Sequence, residues 1–587
     1  MSRLLQSTAG LNWWQIGFPS RLPNRSPLRK VGMYPQKSVL NEGGITWSPS
    51  RLLGGVNLSS MARHGQRRRF YLRLGSHTAP VTVSIGRRTA YPDTPAILPQ
   101  RVLSDVYAEN VNALGPSAYW RFNDSLGPVI RDESPNSNHG TYATTGVAFM
   151  SESAIQNYPI NKAVAFDGAN GYGQVPDSTT LRPETGNKFS WVGWVKFAST
   201  NNNNLPRIWE KGPHYLSIMG DSGNGRYRQF ALEVQNTTGL GNANGGAAEF
   251  WGNTRVDVGE WYHIAVTFDG GLASNHGLLY VNGYPEIMSE IFGWPASPNH
   301  LLDTTIGDAW QIGRSTPDLL FTMNGEVDDS AFYDGRVLTA AQIKVLYRAS
   351  RIPQAVTGTM NDLIAALAPI AHWHLGDPSG AVADDPIGGY DGAYAGTHTL
   401  AQAGIGDGSL STLFSGGRVS LATPIASLDT PFNPAEGSLL LCLKIANAGV
   451  WTDGTADVPA NFGVDGSNRF FVEKLTTSNQ IRLRYLGGGV PIWVDFIIST
   501  TEWFQLVMTW KVSTNEFRVY FNGQQIGGTQ TPMPTWVGAL SAGSLMDVDM
   551  ASSVLPWLGN GAKVALWNVA LTPTQVRALA PDAYFVD

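Results

Sequence analysis

Apolar and polar positions along most of this chain change over with the short period of β-strands. Phe189-Ser190-Trp191-Val192-Gly193-Trp194-Val195 and Trp261-Tyr262-His263-Ile264-Ala265-Val266-Thr267-Phe268 are aromatic and β-branched, with polar breaks at strand spacing. Gly-, Asn- and Asp-rich turns separate many such runs, which predicts pairs of packed antiparallel sheets. Helical patterns are brief. Residues 104–111 and 360–367 set capping-type residues before an apolar pattern, and further short helices are expected at 339–347 and 572–579. Nearer the start, 70–74 and 81–85 read as a hairpin across a Gly-Ser-His-Thr-Ala-Pro turn, between proline-rich connectors.

The pattern occurs twice. Ala118-Tyr119-Trp120-Arg121-Phe122-Asn123-Asp124 returns as Ala371-His372-Trp373-His374-Leu375-Gly376-Asp377. Residues 260–268 return at 502–510, Tyr280-Val281-Asn282-Gly283 at 520–523, and 338–343 at 571–576. The offset drifts only from 253 to 233. The expected organisation is therefore a distinct segment 1–103, then repeats at 104–350 and 351–587 with Trp120 and Trp373 in equivalent buried positions.

Composition agrees with an all-β, turn-rich chain: 65 glycines, 35 prolines, 19 tryptophans and only 15% charged residues in 587. A single cysteine, Cys442, excludes an internal disulfide framework, and its apolar surroundings mark it as a small buried hydrophobe. No run reaches the length of a membrane helix, and the first residues lack the apolar core of a secretory signal. The net charge of −5 hides an asymmetry, because residues 1–101 carry fifteen Lys and Arg against Glu42 and Asp93 alone. Such a segment, with Trp13, Trp14, Phe18, Tyr34 and Trp47 among its arginines, reads first as a dock for an acidic protein partner and second as a nucleic-acid contact.

Each repeat resembles the laminin G-like, concanavalin A-type jelly roll. The resemblance rests on residues 118–122, on Val164-Ala165-Phe166-Asp167-Gly168, on Trp261-Tyr262-His263, on the Val-Asn-Gly turn at 281–283, and on Gly325-Glu326-Val327-Asp328-Asp329. Two copies behind an unrelated basic segment are similar to minor tail proteins of phages. That resemblance implies a virion structural protein, made in the host cytoplasm and attached to other tail proteins through residues 1–103. It would act as a homo-oligomer or as part of a larger assembly, presenting two lectin-like domains to host-surface glycans or neighbouring subunits. A bacterial cell-surface carbohydrate-binding protein and a polysaccharide depolymerase are the alternatives.

Chemistry is sparse. Retaining glucanases on this scaffold need two carboxylates about 5–5.5 Å apart, which the related enzymes carry on a Glu-x-Asp-x-x-Glu strand. No such strand occurs, since Glu326-Val327-Asp328-Asp329 runs into Ser330-Ala331, and no phosphate loop or His-Glu-x-x-His motif is present. The expectation is a protein that binds and does not cut. For a cofactor, the resemblance implies calcium in the first repeat, held by Asp124, the Gly168 carbonyl and Asp328, with turn capping by the same acids as the other reading. In the second repeat Ala562 and Lys563 stand where Asp328 and Asp329 would, so calcium is not expected there. His372 and His374 flank Trp373 at strand spacing and are expected to face solvent, with a two-His metal site as the alternative. The 201–204 insert with Trp209, and a loop around Trp251, are the expected places for sugar contact, against burial of either tryptophan in the core.

Overall fold

The computed structural model describes residues 105–585 apart from 157, 159, 183–186, 201–204, 220–227, 236–246, 293–306, 316–320, 352–357, 548–554 and 582–583, and three strands ahead of them. Those strands, Ile16–Gly17, Arg68–Leu74 and His77–Val83, form an antiparallel sheet with His77–Val83 in the centre. The hairpin is tighter than the sequence suggests. Leu74 pairs with His77, so His77 to Pro80, expected in the turn, belong to the strand. The rest of the basic segment and the 201–204 insert lie outside the described residues.

Two compact units divide the chain, Met1–Ser104 and Asp105–Asp587. The second holds two antiparallel β-sandwiches. In the first sandwich one sheet runs Tyr284–Pro285, Gly277–Val281, Trp261–Asp269, Lys188–Phe197, Asn324–Asp334, Lys162–Asp167, Val147–Glu152, with Ala118–Trp120 also on Asn324–Asp334. Against it packs the sheet Ser289–Phe292, Ala247–Arg255, Gln229–Gln235, His214–Ile218, Arg207–Lys211, Trp310–Ile312, Gly173–Val175, Gly140–Tyr142, Val129–Ile130. The second sandwich repeats the plan, but its two sheets are continuous. The long strand Leu410–Ser420 pairs with Ala542–Leu545 at one end and with Leu558–Trp567 further along.

Trp120, Trp209, Trp310 and Phe332 fill the space between the first pair of sheets, with Trp209 and Trp310 stacked at 4.9 Å. Strand Lys188–Phe197 is buried on both faces, which explains why both of its phases carry apolar side chains. Its other face lies under the helices Val106–Ala113 and Ala340–Ala349, through Tyr107, Val111, Ile343 and Leu346.

The duplicated motifs make duplicated bonds. Trp120 and Trp373 are both fully buried, and their indole N–H groups donate to the carbonyls of Asn138 and Tyr390. Asp132 accepts from the Tyr119 amide as Asp385 does from that of His372. The closing helices, Ala340–Ala349 and Pro573–Ala578, both start on capping boxes, Thr339 with Gln342 and Thr572 with Gln575.

The sandwiches are also bonded to each other. The Asp257 carboxylate accepts from the Gln525 amide at 2.9 Å, the Thr529 hydroxyl at 2.7 Å and the Thr529 backbone N–H at 3.0 Å. Asn253 donates to the Asp495 carbonyl at 2.8 Å, and Tyr284 meets Phe521 edge to face. At Gly528, with φ of +67°, the backbone passes so close to the Arg255 carbonyl that a Cβ would lie 1.8 Å from its oxygen.

Candidate functional site

Sequence reasoning pointed to the closing strand Asn324–Asp334. It carries a β-bulge between its partners Val192 and Trp194, and Asp329 sits there with φ of +43°. Asp328 and Asp329 are both fully buried, and both accept from the Asn161 amide. Asp328 also accepts from the Ser153 hydroxyl at 2.7 Å and the Ala154 backbone N–H at 2.9 Å. Asp329 accepts from the Tyr119 hydroxyl and from Arg121, which also pairs with Asp105. Burial, reinforced by Asp329, holds the Asp328 carboxyl well above the usual carboxylate range. Burial raises Asp329 too, with Arg121 and Tyr119 pulling the other way.

These placements do not fit a shared calcium ion. Asp167 pairs with Asn324 in the ladder, so Gly168 lies at the end of strand Asn324–Asp334, whereas Asp328 is four residues further in. That offset is roughly 13 Å along a strand, while calcium needs its oxygens at about 2.3–2.6 Å. The Gly168 carbonyl accepts from the Thr322 hydroxyl at 2.5 Å. Asp124 accepts from the Tyr142 hydroxyl at 3.0 Å and lies 3.5 Å from Arg131, and its counterpart Asp377 accepts from Tyr394 at 2.7 Å. The structure therefore sets Gly168 apart from Asp328 and gives each of the three residues its own local donors, and among the described residues no cluster of three or more acidic, His or Cys side chains forms a metal site.

The second repeat holds a different centre. Ala118 pairs with Phe332 as Ala371 pairs with Leu566, which sets Lys563 in the place of Asp329 and His372 in that of Tyr119. His372 does not face solvent as expected. It is fully buried, opposite Ala565 on an outer face roofed by Met360 and Ile364 of the helix Met360–Ala365. Neither of its ring nitrogens has a partner among the described residues, and its ring lies 4.4 Å from that of His374. Burial, with His374 and Lys563 adding to it, lowers the His372 pKa to about 2. Lys563 is also lowered by burial, Asp407 acting the other way. Cys442, its cross-strand neighbour, is fully buried with its thiol raised by burial, the inert hydrophobe expected.

Neither tryptophan proposed for sugar contact is available. Trp209 stacks in the core, and Trp251 lies in strand Ala247–Arg255, packed with Met219 and Ala231. Among the described residues, the exposed tryptophan is one that sequence reasoning passed over. Strand Val490–Ile497 alternates, with Ile492, Val494 and Phe496 buried and Trp493 at 42% exposure on the outer face. A tryptophan in the polar phase of an alternating strand was the signal for it.

Around Trp493 the outer face is built in cross-strand rows. One row runs Phe471, Arg484, Trp493, and the Arg484 guanidinium lies 5.7 Å and 5.8 Å from the two ring centres. The next runs Glu473, Arg482, Asp495, where Arg482 grips Asp495 through two bonds of 2.6 and 2.7 Å. At the strand edge a cavity of about 340 Å³ opens on the seam between the repeats, lined by Trp493, Asp495, Gln530 and, from the first repeat, Asn253 and Ile287.

Paired antiparallel sheets in this order, twice in one chain, define a tandem lectin-type jelly roll. The chain belongs to the concanavalin A-like lectin/glucanases superfamily, whose sequence profile matches residues 167–344 and 422–577. Among solved structures it is similar to domain 4 of AbnA, a GH43 extracellular arabinanase from Geobacillus stearothermophilus in complex with arabinotriose. The identity is 19% and the TM-score 0.28, over 40% of this chain and 98% of that one. It is also similar to the CBM40 of the Ruminococcus gnavus IT-sialidase bound to alpha2,3 sialyllactose, at 11% identity and TM-score 0.24, over 28% and 91%. A SAP-like pentraxin from Limulus polyphemus is 13% identical with a TM-score of 0.20, over 25% and 70%.

Proposed function

We propose that this protein is a non-enzymatic glycan-binding structural protein, and that the outer face around Trp493 is where it touches sugar. The observation that carries the reading is the indole itself, 42% exposed on a sheet face where Arg482, Arg484, Asp495 and Glu473 surround it. A large flat apolar ring among fixed polar groups suits the mixed surface of a pyranose, whose C–H face stacks while its hydroxyls bond at the edges. Burial of Asp328 and Asp329 supports binding without hydrolysis, because carboxylates at 0% exposure meet no substrate.

The setting we propose is a phage virion, with the basic residues 1–103 attaching the chain to acidic surfaces of other tail proteins and the two jelly rolls presented outward. Its support is the resemblance of the tandem arrangement to minor tail proteins and the charge of that segment. Retention of the purified chain on immobilised envelope polysaccharide tests the site: Trp493→Ala should abolish retention without lowering the melting temperature. Equal retention of the variant would move the site elsewhere, and release of new reducing ends would replace the adhesive reading with the depolymerase. Antibody labelling of particles tests the virion setting.

A further inference from the structure

We infer that the Trp493 face selects glycans carrying carboxylate groups, through Arg484; this rests on the proposed glycan contact at Trp493. The two arginines of the central strand Gln480–Gly487 are in different situations. Arg482 is committed, its two N–H groups gripping both oxygens of Asp495 in the row it shares with Glu473. Arg484 is not. Its row holds Phe471 and Trp493 and no acid, its buried Nε has no hydrogen-bond partner among the described residues, and no carboxylate there forms an ion pair with it.

A guanidinium held between two aromatic rings keeps its charge and its planar fork of donors, while the rings supply no acceptor that neutralises it. Arg469, over the same Phe471 ring, adds like charge beside it. The fork matches a carboxylate through two parallel N–H···O bonds. A uronate unit seated with its C–H face on Trp493 would set its carboxylate toward the neighbouring row position, one strand away at about 4.8 Å. The cavity on the seam lies at the other side of Trp493 and leaves room for the chain to continue toward Gln530 and Asn253.

The test is affinity electrophoresis and calorimetry of the full chain against polygalacturonate, dextran sulfate and neutral dextran, with Arg484→Gln, Arg484→Lys and Trp493→Ala compared. Polygalacturonate should bind best. Arg484→Gln should weaken it at least tenfold, Arg484→Lys should restore only part of the loss because the fork is gone, and Trp493→Ala should remove binding to every glycan. Unchanged melting temperatures confirm that the variants fold. Polygalacturonate and dextran bound equally, with Arg484→Gln without effect, would overturn the role of Arg484 while leaving the Trp493 contact standing. Preference for dextran sulfate would overturn the carboxylate selectivity, and no binding to any glycan would overturn both.

Discussion

Asp329 and Lys563 occupy the same place in the two repeats with opposite charge, each on the closing strand, two positions before the alanine that faces Tyr119 or His372. Around Asp329 the fold supplies Arg121, Tyr119 and Asn161. Around Lys563 it supplies two imidazoles and no hydrogen-bonded acid among the described residues. The unequal completion of the two centres has opposite consequences for mutation.

Asp329→Ala should destabilise the first sandwich by about 1–3 kcal/mol, since it leaves the buried Tyr119 hydroxyl without its acceptor and removes one of the two acids that pair with Arg121, which keeps Asp105. Lys563→Met should be neutral or stabilising, by about 1 kcal/mol, because it removes a desolvated amine that no acid bonds. Urea unfolding of the two variants checks the contrast.

Asp328→Ala should lower stability equally with calcium and with chelator present. Its loss acts through the Ser153 and Ala154 donors it leaves unsatisfied, while Asn161 keeps Asp329, at about 1–3 kcal/mol. Thermal melts in both buffers measure this, and a loss confined to calcium buffer would restore the metal reading.

Acid should weaken the fold through its buried histidines. Burial lowers His372 to about 2 and His263 to about 3, so the unfolded chain takes up protons that the folded one refuses. Their contribution is complete above the ordinary histidine value near pH 6.5 and is lost as pH falls toward those folded values, at up to about 1.4 kcal/mol per unit for each group. His372→Gln and His263→Gln should each flatten the profile of unfolding free energy against pH.

Glu286 should act in the opposite sense. Burial raises it to about 7 although it accepts from the amides of Asn253 and Thr254. Its contribution is complete below the ordinary value near 4.5 and is lost as pH rises through about 7. Glu286→Gln should remove that loss.

Gly528→Ala should separate the sandwiches and cost about 2 kcal/mol or more, because the new Cβ collides with the Arg255 carbonyl and φ is +67°. Gly466→Ala, where a Cβ meets nothing within 4 Å, should be close to neutral. Small-angle scattering with thermal melts distinguishes the two.

Strand period, turn chemistry and the repeated motifs sufficed for the all-β class, the duplication and the burial of Trp120 and Trp373, because each is written in local order. The short closing helices that follow Thr339 and Thr572 were legible for the same reason. What lies above or below a sheet is not local. His372 has the alternation of an outward residue, yet a helix from elsewhere in the repeat roofs its face, and Trp209 and Trp251 were taken into packed layers by strands distant in sequence. Asp124, Gly168 and Asp328 belong to motifs that occur together, but ladder register holds Gly168 and Asp328 apart by several residues of extended strand. Trp493 reaches solvent because its strand lies at the edge of its sheet, beside the seam with the first repeat, and that depends on the pairing of the whole chain.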